Sequence, residues 1–140
     1  MMRNRKTILV VDDIPLMRTI LTKFLRGLGP KILTEELGLV GLDLLEAANG
    51  KRALDVLKEK DVDLIFLDLM MPEMDGLTFL GVKREDPRIA DIPVIVCSAL
   101  GEKETVDRAK ELGAASYIVK PFTAKSVEEK LRDAMAVPQE

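Results

Sequence analysis

The sequence predicts an α/β chain built on one parallel sheet, and three observations carry that reading. Four short runs rich in Val, Ile and Leu, at 7–11, 62–67, 93–97 and 115–119, show no clean polar–apolar alternation. Strands covered on both faces read this way. Segments with helical spacing separate the runs, so strand and helix alternate along the chain. Finally, 140 residues with 47% apolar composition suffice for one core and one domain.

The first strand is "TILVV" at 7–11. The first helix begins near Pro15, where a missing N–H leaves no bond unmade. Leu16, Ile20, Phe24 and Leu28 follow at four-residue steps and predict one buried stripe. A weaker second strand at 42–47 ends at Asn49-Gly50, and a helix at 51–60 places Ala53, Leu54 and Leu57 on one side. The strand at 62–67 is followed by a helix opening after Asp75-Gly76, with Leu77, Phe79, Leu80 and Val82 as its apolar set and Asp86-Pro87 as its stop. After the strand at 93–97 comes a helix at 103–112, closed by Gly113. The strand at 115–119 leads into a last helix at 123–135, and 136–140 reads as a frayed C-terminal tail.

One stretch exceeds what a helix-to-strand turn needs. Between Gly29 and Leu42 lie a proline, "KILTEELG" and one further glycine. Residues 20–29, "ILTKFLRGLG", and 32–41, "ILTEELGLVG", match at five of ten positions with an offset of twelve. Either the end of the first helix is duplicated there, adding a helical turn or two, or two leucine-rich segments coincide. Residues 30–41 are expected to be an insertion within a domain spanning 5–135.

Composition excludes several function classes. A net charge of -3, with 21 basic residues scattered among 24 acidic ones, argues against a nonspecific nucleic-acid surface. The chain has no histidine, which removes His-based metal sites, Ser-His and Cys-His catalysis. Its single cysteine, Cys97, lies in "IPVIVCSAL" and reads as an inert, buried thiol. The apolar stretch near the N-terminus is too short for a signal peptide or a membrane span. A cytoplasmic, reducing setting is therefore expected.

The chemistry gathers at the strand ends. In a parallel sheet the loops after the strand carboxyl ends share one edge, where ligands bind. Asp12 and Asp13 follow "TILVV", Asp68 follows "VDLIFL", Ser98 follows "PVIVC" and Lys120 follows "ASYIV". Each has a plain alternative: the first two acids could cap a helix, Ser98 could be a turn residue and Lys120 a solvated charge. Their coincidence on one edge favours a site. Like charges about 4 Å apart repel by roughly 4 kcal/mol at an effective dielectric near 20, so three acids there call for a cation. An all-oxygen set suits Mg2+ or Mn2+, which would accept a phosphate oxygen as a further ligand. A carboxylate can then attack phosphorus directly and become an aspartyl phosphate.

Together, "VVDD" at 10–13, "DLMMPEMDG" at 68–76, "CSA" at 97–99 and "KPF" at 120–122 resemble the receiver domain of two-component response regulators, over roughly residues 5–135. The resemblance implies a flavodoxin-like (βα)5 three-layer sandwich with strand order 2-1-3-4-5. Asp68 would accept a phosphoryl group from a phosphohistidine on a sensor histidine kinase or a histidine phosphotransfer protein. Asp13 and Asp68 would hold Mg2+ directly, Asp12 mostly through water, with the backbone carbonyl of Met70 as a further ligand. Ser98, Ala99 and Lys120 would bind phosphoryl oxygens, and Pro121 would follow Lys120 through a cis bond. Tyr117 would be the switch aromatic, turning inward as Ser98 moves and reshaping the surface offered to a downstream effector protein. A plain sheet-packing role is the alternative for this tyrosine. The bulky Met70 side chain, unable to hold water, points to slow self-dephosphorylation. No direct nucleic-acid or membrane contact is expected, and the chain reads as a monomer or weak homodimer, not as an enzyme in the ordinary sense. It either acts on its own, as chemotaxis-type and relay receivers do, or is a piece of something longer, and the first reading is preferred.

Two rival readings fit these residues less well. A haloacid-dehalogenase-like phosphatase wants a second acid two residues beyond its nucleophile, where this chain has Met70. A degenerate receiver serving only as a binding module would lack the complete polar set.

Overall fold

The computed structural model describes residues 4–99 and 102–135. In chain order the elements are β1 (Arg5–Val11), α1 (Pro15–Arg26), a π-helical segment (Lys31–Glu36), β2 (Gly41–Ala47), α2 (Gly50–Glu59), β3 (Leu64–Asp68), α3 (Gly76–Arg84), β4 (Val94–Ser98), α4 (Lys103–Glu111), β5 (Ser116–Val119) and α5 (Ala124–Met135). The sheet is parallel throughout, in order β2-β1-β3-β4-β5. This is the flavodoxin-like sandwich that the resemblance implies.

The runs forming β1, β3 and β4 lack alternation because both sheet faces are covered there, whereas the edge strand β5 buries Ile118 alone and leaves Tyr117 and Val119 exposed on its other face. Leu9, Val11, Ile65, Leu67, Val94 and Val96 pack with Ala53 and Leu57 of α2, Phe79 and Leu80 of α3, and Val106 and Ala109 of α4. The intervening strand residues Ile8, Val10, Leu64, Phe66, Ile95 and Cys97 pack with Leu21 and Leu25 of α1 and Val127 and Leu131 of α5. Successive strand side chains point to opposite faces, so β1, β3 and β4 each feed two cores at once. Each such side chain fully buried is worth about 1.5–3 kcal/mol.

Side-chain caps place several helix starts. Asn49 Oδ1 accepts from the Arg52 N–H at 2.8 Å, and Asp75 Oδ1 accepts from the Thr78 N–H at 2.8 Å. Thr123 and Ser126 exchange reciprocal bonds at the start of α5. Two expected core positions turn outward. Leu16 is 63% exposed, and α1 instead buries Leu21, Thr22 and Leu25. Strict four-residue steps drift about 40° per repeat on a 3.6-residue helix, so the predicted stripe leaves the core at its first member. Val82 is also exposed, since α3 buries the face formed by Gly76, Phe79, Leu80 and Lys83.

The stretch before β2 belongs to the core. Its Leu37 N–H reaches the Ile32 carbonyl at 3.0 Å, the wider spacing of a π-helix. Ile32, Leu37 and Leu39 are buried in the cluster shared with α1 and α5, and Glu36 is paired with Arg132 of α5. Gly38 takes a φ of 68°, a conformation that suits glycine where the segment turns back. Val40 donates to the Asn4 carbonyl at 2.7 Å, so the segment enters β2 at the amino edge of the sheet. The polar strand ends lie at the opposite edge.

Candidate functional site

The strand order sets β1, β3, β4 and β5 side by side, and their carboxyl ends carry the polar set. Asp12 leaves β1 with its N–H donated to the Ala47 carbonyl at 3.1 Å. Asp68 and Ser98 are the last residues of β3 and β4, and Lys120 follows β5 with its N–H on the Ser98 carbonyl at 2.7 Å. Gly76 fits beneath the acceptor strand: a Cβ there would stand 2.7 Å from the Asp68 carbonyl oxygen.

The side chains converge. One carboxylate oxygen from each of Asp12, Asp13 and Asp68 lies within 4.8 Å of the others. The Lys120 ammonium bridges two of them, 3.1 Å from Asp12 Oδ2 and 3.3 Å from Asp68 Oδ1. Asp12 Oδ1 accepts from the Ile14 N–H at 2.9 Å, and Asp68 Oδ1 from the Met70 N–H at 3.3 Å. Asp12, Asp68 and Ser98 are all buried. The capping alternative for the first acid pair does not hold, because Ile14 occupies the cap position of α1 and no side chain caps it.

Burial pushes the Asp68 carboxyl up to about 6, with the charge of Asp12 adding to the rise and Lys120 opposing it. Burial works against the Lys120 ammonium, but Asp68 and Asp12 together hold it above its ordinary value. Cys97 behind the site is buried, and its thiol is pushed well up by desolvation, in keeping with an inert group.

The residues fit a divalent cation. Asp13 Oδ1 is buried and has no hydrogen-bond partner. A carboxylate oxygen left bare among two further carboxylates is costly unless a cation is its partner. One ammonium against three carboxylates leaves a formal excess of two negative charges, which matches a doubly charged ion. An all-oxygen donor set selects a hard one.

The remaining sequence-predicted residues surround this centre. The Ala99 N–H is donated to Glu102 Oε2 at 3.3 Å. The Lys120–Pro121 peptide is cis. Met70 is 63% exposed at the rim. Tyr117 is half-exposed, its ring 4.7 Å from Lys110 Nζ of α4 and 5.7 Å from Lys130 Nζ of α5. Ser98 and Tyr117 line one groove of about 260 Å³ with Val106, Lys110 and Val119. Arg18, by contrast, escaped the sequence reading. Its Nη1 donates to the Asp12 carbonyl at 2.5 Å and its Nε to Glu46 Oε1 at 3.1 Å, contacts with no local signal.

Comparison with known proteins gives a consistent picture. A family model described as "Response regulator receiver domain" matches residues 8–132. The "Chemotaxis protein CheY homolog" of Campylobacter jejuni is 38% identical over 129 residues, covering 91% of each chain. The "Probable transcriptional regulator ycf27" of Porphyridium aerugineum is 36% identical over 132 residues, covering 94% of this chain but 49% of that one, so the chain spans about half the length of this relative. Among solved structures, the signal receiver domain of a signal transduction histidine kinase from Syntrophus aciditrophicus superposes with a TM-score of 0.73 at 29% identity, covering 93% of this chain and 89% of that one.

Proposed function

The chain belongs to the response regulator receiver domain family, and from that premise we propose that it is a phosphoacceptor switch in which Asp68 takes a phosphoryl group from a phosphohistidine. The donor would be a sensor histidine kinase or a histidine phosphotransfer protein, because this chain has no histidine of its own. Asp68 Oδ attacks phosphorus in line with the breaking P–N bond, and the departing imidazole nitrogen takes a proton from solvent or from its own protein. The attacking group must be ionised, and a carboxyl held near 6 is mostly so at neutral pH.

Asp13 and Asp68 would hold Mg2+, or Mn2+, directly, with Asp12 acting through water and the Met70 carbonyl as a further ligand. That ion, when bound, supplies charge neutralisation at the phosphoryl oxygens. Lys120, already 3.3 Å from Asp68 Oδ1, passes from carboxylate to phosphoryl oxygen as the negative charge moves outward. The Ser98 hydroxyl and the Ala99 N–H bind the remaining oxygens, the latter leaving Glu102. Ser98 moving toward the phosphoryl group opens space in the groove that it shares with Tyr117. The ring then turns inward, changing the α4–β5–α5 surface presented to an effector protein. The exposed Met70 side chain neither holds nor activates water, so the phosphorylated state is long-lived.

We assign residues 5–135 to the receiver domain, with 30–41 as its insertion; 136–140 lie outside the described residues. Among those described, no helix is long and apolar enough to cross a membrane. A cytoplasmic monomer or weak homodimer, a signalling protein and not an enzyme in the ordinary sense, accords with this reading.

The clustering of Asp13 with Asp12 and Asp68, together with the bare, buried oxygen of Asp13, carries the proposal. Incubation with acetyl phosphate, followed by intact-protein mass spectrometry, tests it. The expected result is a single phosphoryl increment that needs Mg2+ and is absent in Asp68→Ala. A folded protein without the increment, or an increment persisting in that variant, overturns it.

A further inference from the structure

We propose that Arg18 is a positioning residue for the acid pair, holding the Asp12–Asp13 peptide so that Asp13 presents its carboxylate to the cation. The inference rests on the reading above, in which Asp13 ligates a divalent ion.

Asp12 is held at every polar atom. Its N–H is on the Ala47 carbonyl, its carboxylate oxygens take the Ile14 N–H and the Lys120 ammonium, and its carbonyl takes Arg18 Nη1 at 2.5 Å. Asp13 differs, because Oδ1 is buried and nothing bonds to it. Its aim must therefore come from the backbone. The Asp12 carbonyl and the Asp13 N–H share one planar peptide unit, so fixing that oxygen also fixes the direction in which Asp13 leaves β1. Arg18 supplies the fixed point from a helix, six residues along the chain.

Two geometric features suit Arg18 to this task. Its guanidinium satisfies two acceptors together, Nη1 on the Asp12 carbonyl and Nε on Glu46 Oε1 at 3.1 Å. A planar fork does this with little loss of freedom, whereas a lysine ammonium is a single flexible point. Glu46 lies in β2, which pairs with β1, so the fork ties α1 to the strand beside the acids. The Arg18 side chain is only 17% exposed, which limits competition from water.

Two bland accounts make different predictions. If Arg18 is merely an ion pair between helix and sheet, its loss costs stability and leaves cation affinity alone. If its charge matters only by repelling the ion, its loss tightens binding. Positioning predicts weaker binding.

The experiment titrates Mn2+ into the whole protein by water-proton relaxation, alongside urea unfolding without metal. Arg18→Gln should weaken Mn2+ by about tenfold, the scale on which groups orienting metal ligands act. Glu46→Gln, which can still accept from Nε, should stay within about twofold of wild type on the same scale. Arg18→Lys should fall between wild type and Arg18→Gln. A wild-type protein that binds no Mn2+ overturns the cation reading and this inference with it. Binding in Arg18→Gln equal to or tighter than wild type overturns this inference alone, even if that variant unfolds earlier. Should Arg18→Gln not fold, Arg18→Lys decides, and wild-type affinity there is the contrary result.

Discussion

Replacing Asp68 by Asn should stabilise the metal-free protein at neutral pH, although it removes the phosphoacceptor. The Asp68 carboxyl is raised from 3.8 to about 6, chiefly by burial, with Asp12 adding and Lys120 opposing. An acid with a raised pKa holds its proton more tightly in the folded chain. Its stabilising contribution is present in full below the unfolded value and is lost as pH rises through the folded one. Asparagine mimics the protonated acid at every pH. With each pKa unit equal to 1.36 kcal/mol, the variant gains about 3 kcal/mol above pH 6. The two proteins should be about equally stable below pH 4. For a domain of this size the gain corresponds to roughly 10 °C in Tm.

The assay is urea unfolding followed by circular dichroism in EDTA, at about pH 4 and about pH 7.5. Excess Mg2+ should then narrow the gap at the higher pH, because the ion stabilises wild type by about 2.7 kcal/mol at a hundred times its Kd. A variant no more stable than wild type at neutral pH without metal, or a gap of equal size at both pH values, would refute the electrostatic reasoning.

Two other outcomes follow. Met70→Asn, which sets a water-holding amide at the exposed rim position, should shorten the life of the phosphorylated protein by about tenfold; decay of the mass increment after removal of the donor measures this, and an unchanged half-life discards the role given to Met70. Ile32→Ala should cost about 2–4 kcal/mol in urea unfolding, since Ile32 is 8% exposed within the α1–α5 core; a near-neutral result would mean that the inserted stretch is not part of that core.

The alternation of strand and helix was legible in the sequence because its signals are local. "TILVV" and "PVIVC" need no partner to show that both faces are apolar, and Asn49, Asp75 and Gly113 mark helix ends at fixed offsets; "ASYIV" reads the same way, yet as the edge strand β5 it buries only Ile118 and leaves Tyr117 and Val119 exposed. The site was legible for a related reason: a parallel sheet delivers every residue at a strand's carboxyl end to one edge, so Asp12, Asp68 and Lys120 meet, with Ser98 at the same edge, once the strands are recognised. Boundaries shifted by a residue or two. The observed β3 and β4 include Asp68 and Ser98 themselves, because ladder pairing between neighbours continues past the last apolar side chain.

What local pattern does not contain is distance through space. Leu16 and Leu21 have the same side chain, and only the docking of α1 on the sheet exposes one and buries the other. Leu37 and Leu39 resemble loop leucines until the fold draws them into the core shared with α1 and α5. The rise of the Asp68 carboxyl depends on desolvation and on charges brought by β1 and β5, and the bare oxygen of Asp13 depends on what fails to approach it. Arg18 reaches a carbonyl six residues away and a carboxylate 28 residues away, a pairing without periodicity, cap or motif to announce it. Residue type and spacing determined the fold and the roster of reactive groups, because these follow from the steric repeat of the chain. Charge state and aim were decided by tertiary structure, because electrostatic energy and hydrogen-bond geometry depend on separation in space and not on separation in sequence.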